Sequence, residues 1–223
     1  MAESLFGFDT ERAFEYENGF YLTSPLSRIG KLLGHYELYK RITTLPGEVV
    51  ECGVYKGASL LRFLSFRELL ESPDSRKLIA FDAFGRFPGA ADRDDQAFIQ
   101  RFEQAGGDGI SVVELERVLA MKGFRNIELV PGDINHTVPA YAEKHPELRI
   151  ALLHIDVDVY EPSVTILDHL FDRMVPGGLV VFDDYGKVAG ETRAVDELLR
   201  RRPHRLEKLP ICHIPTFLVA GQR

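Results

Sequence analysis

A chain of 223 residues with 45% hydrophobic content is long and apolar enough for one α/β domain carrying an insertion, which excludes wholesale disorder. A formal net charge of −7 argues against DNA or RNA as a partner, and two cysteines, Cys52 and Cys212, offer no disulfide framework and fit a reducing cytoplasm. The acidic N-terminus lacks the apolar core of a secretory signal, and no apolar run approaches the roughly 20 residues of a membrane span, so a cytoplasmic chain without a membrane partner is expected.

Residues 1–46 read as a helical N-terminal addition, its signal concentrated in "SPLSRIGKLLGHYELYKRI" and ended by Pro46 and Gly47. The remaining 47–223 form the main domain. A first strand is predicted over 48–54, where Cys52 reads as a small core residue. A helix with the stripe Leu60, Phe63, Leu64 and Leu70 follows, then a second strand over 77–83. Residues 84–125 break the alternation with a Gly-, Pro- and Asp-rich stretch. Next come "QAFIQRFEQAGG", stopped by Gly106 and Gly107, and a helix opened by the capping box Ser111 and Glu114. An insertion placed there can cover the carboxyl edge of the sheet as a lid. Strands at 126–133 and 149–158, a helix carrying Val164, Leu167, Leu170, Phe171 and Met174, a strand at 178–185 and the helix "VDELLRR" complete the alternation. The basic cluster Arg200, Arg201 and Arg202 complements that helix's carboxyl end. The tail reads as a hairpin adding an antiparallel edge, where Pro210 and Pro215 are tolerated. Short, nearly continuous apolar strands alternating with helices predict a doubly wound, mostly parallel sheet.

In such a sheet, ligands bind beyond the carboxyl ends of the strands. The five strands end in Glu51, Gly53 and Gly57; Asp82; Gly132 and Asp133; Asp156 and Asp158; Asp183 and Asp184. Every strand thus delivers an acid to one edge. A dinucleotide fingerprint needs glycines at 51, 53 and 56, but Glu51 and Lys56 occupy two of these positions, which disfavours a nicotinamide oxidoreductase. A glutamate before the glycines would repel a pyrophosphate and suit a cationic amine, as in S-adenosylmethionine. Asp82 would accept hydrogen bonds from its ribose, and Asp133 follows in order. At the strand period of two, His154, Asp156 and Asp158 point to one face, and an adjacent strand brings Asp183 and Asp184 close. Each acidic group alone is also compatible with a strand end or a turn. Together their repulsion calls for a countercharge, and an all-oxygen set suits Mg²⁺, Mn²⁺ or Ca²⁺. His154 is either an orienter of these acids or a satisfied core histidine; His136 lies near the pocket, and His213 reads as structural.

The segments "GEVVECGVYKGAS", "FDAFGRFPG", "LLHIDVDVYEPS", "PGGLVVFDDYG" and "ETRAVDELL", spread over 47–200, resemble the macrocin O-methyltransferase family of TylF/MycF type. The resemblance implies a class I methyltransferase sheet of order 3-2-1-4-5-7-6 with an antiparallel last strand. It also implies S-adenosylmethionine and Mg²⁺ (or Mn²⁺) as cofactors. Carried over, it puts Glu51, Gly53, Gly57 and Ser59 at the methionine end of the donor, Asp82 at the ribose and Asp133 on the adenine side. Asp156, Asp183 and Asp184 match the metal acids, with Asp156 also counted at the donor site. Asp158 is the candidate base and Asp156 the alternative. The acceptor implied is a small molecule, a hydroxyl of a sugar or glycosylated natural product. A catechol-like O-methyltransferase and a nonenzymatic cation-binding module remain alternatives, and a homo-oligomer stays open. The short chain departs from the family at its N-terminal segment and lid, the parts that cover the acceptor.

Overall fold

The computed structural model describes residues 4–221. A two-residue ladder, β1 (Ser4–Leu5) with β2 (Phe8–Asp9), leads into helices α1 (Ala13–Thr23) and α2 (Leu26–Ile42). The sheet domain then runs β3 (Glu48–Cys52), α3 (Ala58–Leu70), β4 (Leu78–Asp82), α4 (Arg93–Gly106), α5 (Val112–Met121), β5 (Ile127–Pro131) and α6 (Ile134–Lys144). It continues with β6 (Ile150–Ile155), α7 (Tyr160–Leu170), β7 (Met174–Phe182), α8 (Ala189–Arg201), β8 (Glu207–Lys208) and β9 (Thr216–Val219). The seven-stranded sheet has the order β5-β4-β3-β6-β7-β9-β8, with β7–β9 and β8–β9 antiparallel and the other pairs parallel. Counted from β3, this is the expected 3-2-1-4-5-7-6. Among the described residues, no helix is long and apolar enough to cross a membrane.

The strands bury both faces, which is why they read as continuous apolar runs. One face packs Val50, Phe81, Leu153 and Phe182 against Val138, Ile166 and Val195 of α6, α7 and α8. The other packs Val49, Ala80, Leu152 and Val181 against Leu38, Ile42, Leu60 and Phe63 of α2 and α3. Helix α2 therefore belongs to the same core as the sheet, whereas α1 buries none of its residues. The buried Arg76 ties α2 down: it pairs with Glu71 at 2.7 Å and donates to the carbonyls of Ile42, Leu45 and Gly47 at 2.8–3.1 Å. These are the carbonyls that a helix end leaves without intrahelical partners, plus those of the loop beyond it.

Some elements differ from the sequence expectation. Strand β7 starts at Met174, four residues before the predicted boundary, and so takes Met174 out of the helical stripe, since α7 ends at Leu170. Helix α6 carries Pro139 in its interior, so a reading that takes proline as a stop misses it; Asp133 caps it instead, accepting from the Asn135 N–H at 2.9 Å. Strand β6 ends at Ile155, three residues before the predicted boundary. Asp156 keeps one ladder bond, its N–H donating to the Cys52 carbonyl at 2.8 Å. The chain then turns sharply: the Val159 N–H donates to the Val157 carbonyl at 2.6 Å, with Asp158 between them at φ 64°.

Candidate active site

The carboxyl edge carries a cleft of ≈ 930 Å³, counting the space at its open mouth. Gly53, Asp82, Asp133 and the Asp156–Val159 turn form its floor, and Arg86, Phe87 and Phe102 from the 84–125 insertion form its outer wall. The insertion is anchored to the sheet domain. The buried Asp95 of α4 accepts from the Tyr160 N–H at 2.8 Å, capping α7, and the Tyr55 hydroxyl donates to the Gly106 carbonyl at 2.7 Å.

Asp82 holds both loops beside it. Its Oδ2 accepts from the N–H groups of Val54 at 2.6 Å and Tyr55 at 3.0 Å, and its Oδ1 accepts from Phe84 at 2.6 Å. Tyr55 and Phe84 have φ of 50° and 52°, costly for non-glycine residues, so this carboxylate stabilises a strained pair of turns at the cleft floor. Gly53 is required for a reason the motif does not disclose. A Cβ there would stand 1.8 Å from the Asp156 carbonyl oxygen, so the glycine lets two backbones meet, besides lining the cleft.

The other predicted donor residues lie off the cleft lining. Gly57, at φ 83°, starts α3, and Ser59 is buried in that helix's first turn. Glu51 is 1% exposed and turned toward its cross-strand neighbour His154, whose Nδ1 lies 3.2 Å from Glu51 Oε1; Glu51 Oε2 has no hydrogen-bond partner in the structure. His154 Nε2 lies 3.3 Å from Asp183 Oδ1, so the imidazole bridges two carboxylates. Burial alone would lower its pKa, but the bonds to Asp183 and Glu51 outweigh burial and raise it to about 10. His154 is thus a doubly donating imidazolium that orients acids. His35 of α2 approaches Asp183 Oδ1 at 3.5 Å, too long for a firm bond. It stacks on Phe63 (5.1 Å between centroids), and burial brings its pKa down to about 4, so it is neutral.

The four aspartates that follow β6 and β7 divide into two groups. Asp156, Asp158 and Asp184 each place an oxygen within 4.8 Å of the others, an all-carboxylate set. Asp183 faces the other way, into a separate group with His35 and His154, and its Oδ2 pairs with Lys31 of α2. The convergence of Asp156, Asp183 and Asp184 expected from the sequence is therefore not the arrangement found: Asp158 takes the place of Asp183 in the trio. Burial pushes Asp183 up, but His154, His35 and Lys31 outweigh it and hold the carboxyl well below its usual range. The trio behaves oppositely. Burial first, then Asp183, drives Asp156 well up; burial, then Asp184, raises Asp158 to about 8; Asp184 shifts up as well. Glu191, buried in α8, accepts from the Asp184 N–H at 2.9 Å and fixes that backbone. Lys31, His35 and Glu191 were not singled out from the sequence. The one signal for the first two is their spacing on α2, where residues 28, 31 and 35 share a face.

These groups make stability depend on pH in ion-free buffer. The His154 charge stabilises the fold fully below its unfolded pKa near 6.5 and is lost as pH rises through about 10. Asp158 keeps a proton in the folded chain up to about 8 that the unfolded chain releases near 4, so its contribution also falls as pH rises. Both signs agree, and the melting temperature in chelator is expected to drop between about pH 6 and about pH 10. A flat or rising profile in a calorimetric scan would show that the buried charges are not arranged in this way.

The chain matches the sequence model of macrocin-O-methyltransferase (TylF) over residues 37–220. It is similar to the 8-demethyl-8-(2,3-dimethoxy-alpha-L-rhamnosyl)-tetracenomycin-C 4'-O-methyltransferase of Streptomyces olivaceus, with 30% identity over 63% of this chain and 54% of that one. The mycinamicin III 3''-O-methyltransferase of Micromonospora griseorubida is 26% identical over 63% and 56%. The chain thus spans little more than half the length of these curated relatives. Among solved structures, the calicheamicin methyltransferase CalS11 superposes with a TM-score of 0.72 at 27% identity, over 94% of this chain and 86% of that one. The O-methyltransferase NovP gives 0.74 at 21% identity, over 87% and 81%, a likeness of fold.

Proposed function

The chain belongs to the macrocin O-methyltransferase family, and from that premise we propose that it transfers the methyl group of S-adenosylmethionine to a hydroxyl of a sugar or glycosylated small molecule, assisted by Mg²⁺ or Mn²⁺. The observation that carries this reading is the shared wall of cleft and acids: the Asp156–Val159 turn lines the cleft and also supplies two of the three convergent carboxylates. One relative is named for a rhamnosyl-tetracenomycin, and CalS11 is described as a TDP-rhamnose 3'-O-methyltransferase, which favours a sugar acceptor.

Gly53, Asp82 and Asp133 on the cleft floor would hold the donor, with the lone pairs that Asp82 does not spend on backbone N–H groups free for ribose hydroxyls. Glu51, Gly57 and Ser59 support this floor from behind and from the start of α3. Carboxylate oxygens within 4.8 Å of one another fit a hard divalent ion, which Asp156 and Asp184 would hold, with Asp183 bracing the cluster through its bonds to His154 and Lys31. When bound, such an ion polarises a hydroxyl oxygen and lowers its pKa. Asp158 accepts the hydroxyl proton. Without an ion, burial and Asp184 raise Asp158 to about 8 and keep it protonated at neutral pH; a cation bound beside it would favour the carboxylate that a general base needs. The 84–125 insertion walls the cleft and keeps water from the donor.

The test is a product screen with S-adenosylmethionine and Mg²⁺ over nucleotide sugars, glycosides and catechols. Methylated sugar with stoichiometric S-adenosylhomocysteine is expected. Methylation of catechols alone would reassign the acceptor, and no turnover on any hydroxyl would overturn the reading. For the donor floor, Asp82→Ala is expected to weaken S-adenosylhomocysteine binding by about 1.5–3 kcal/mol, the usual worth of hydrogen bonds to a charged group. It should also lower stability, since three backbone N–H groups lose their acceptor. Titration calorimetry that finds donor affinity unchanged would remove Asp82 from the donor site.

A further inference from the structure

Lys31 sits in the sixth position of α2, on a helix pressed closely to the tail. A Cβ on Gly34 would stand 3.0 Å from Cys212 Sγ, and one on Gly30 would stand 3.2 Å from the Ile211 carbonyl oxygen. This close approach lets the lysine stem reach an aspartate 152 residues away in the chain. The Lys31 Nζ pairs with Asp183 Oδ2, with side chains 17% and 1% exposed respectively. Burial opposes the ammonium charge, but attraction to Asp156, Asp183 and Asp184 outweighs it, so Lys31 remains a cation.

The charges around it do not balance. His154 lies between Glu51 and Asp183, and Lys31 caps Asp183, so these two cations are matched by two anions. Asp156, Asp158 and Asp184 converge with no ion pair of their own among the described residues. The position most attractive to a second cation therefore lies beside an ammonium already in place, one drawn first to Asp156, and the two like charges repel across this half-buried edge. Lys31 is also the partner able to move: it is partly exposed on a flexible four-carbon stem, whereas Asp183 is buried and bonded to His154.

We propose that Lys31 is a resident cation that competes with a divalent ion for the acid cluster, so that loading the ion drives the Lys31 Nζ away from Asp183 and loosens the hold of α2 on the site. The proposal rests on the ion-assisted reading above. It makes the N-terminal helix a sensor of ion occupancy and sets the ion's affinity below what the carboxylates alone would give.

The test is Mn²⁺ binding followed by electron paramagnetic resonance, on the wild type, Lys31→Met, Lys31→Gln and Lys31→Arg, without donor or acceptor. Lys31→Met and Lys31→Gln are expected to bind Mn²⁺ about tenfold or more tightly, since no ammonium opposes the ion. Lys31→Arg, which keeps a cation, should stay near wild type. Lys31→Gln can still donate to Asp183, so it reads the effect of charge even where Lys31→Met folds poorly. Wild-type binding with both neutral variants equal or weaker would overturn the competition and leave the ion-assisted reading standing. Absence of Mn²⁺ binding in every protein would overturn both.

Discussion

Asp158→Asn is expected to slow methyl transfer by roughly 10²–10⁴-fold, the usual contribution of a positioned general base. The substitution suits the site. Asp158 has φ 64°, a conformation that asparagine tolerates better than most residues, so the turn between Val157 and Val159 should persist. Asparagine keeps the shape and cannot accept the hydroxyl proton in the same way. It also removes one of three mutually repelling carboxyls, so the melting temperature in chelator should hold or rise. Donor affinity should be retained, since Gly53, Asp82 and Asp133 are untouched, and Mn²⁺ binding should survive on Asp156 and Asp184. Single-turnover rates beside Mn²⁺ titration separate the roles. A variant that loses the ion makes Asp158 a ligand, and the base must then be sought at Asp156. An unchanged rate would remove Asp158 from the chemistry.

Chelation of divalent ions is expected to lower transfer by about 10³-fold, the rate equivalent of the several kcal/mol that a bound ion contributes by stabilising developing charge. Mg²⁺ or Mn²⁺ should restore the rate. Binding of S-adenosylhomocysteine, read by calorimetry, should largely persist in chelator, because Asp156 is the one acid of the trio assigned to the donor site as well. Loss of donor binding together with activity would mean that the ion organises the donor cleft and not the acceptor. A rate indifferent to chelator would leave the acids with proton transfer alone, and Lys31 as the cation that balances them.

Much of this protein could be read from the chain because the governing signals are local. Apolar runs such as "RIALLHI" and "GLVVF" mark strands buried on both faces, and the helical stripe from Leu60 to Leu70 marks what covers them. An acid at the end of each strand follows from the linear order alone, so the sequence by itself determined the sheet, its edge and the list of chemical groups there.

Which groups face one another was decided by the tertiary structure. The period of two holds only while the strand lasts; β6 stops at Ile155, and the turn at Asp158 re-aims that carboxyl toward Asp184. Parallel register places Glu51 beside His154 under the edge, away from the cleft lining, and the bridge from His154 turns Asp183 inward. Gly53 answers to the backbone of Asp156, a contact between strands 103 residues apart at the neighbouring Glu51–His154 pair. The countercharge to Asp183 comes from Lys31 on a helix before the first strand of the main sheet, and no spacing rule reaches that far. Local propensity writes secondary structure into short windows, but a buried charge is stabilised by whatever partner packing delivers, from any distance along the chain.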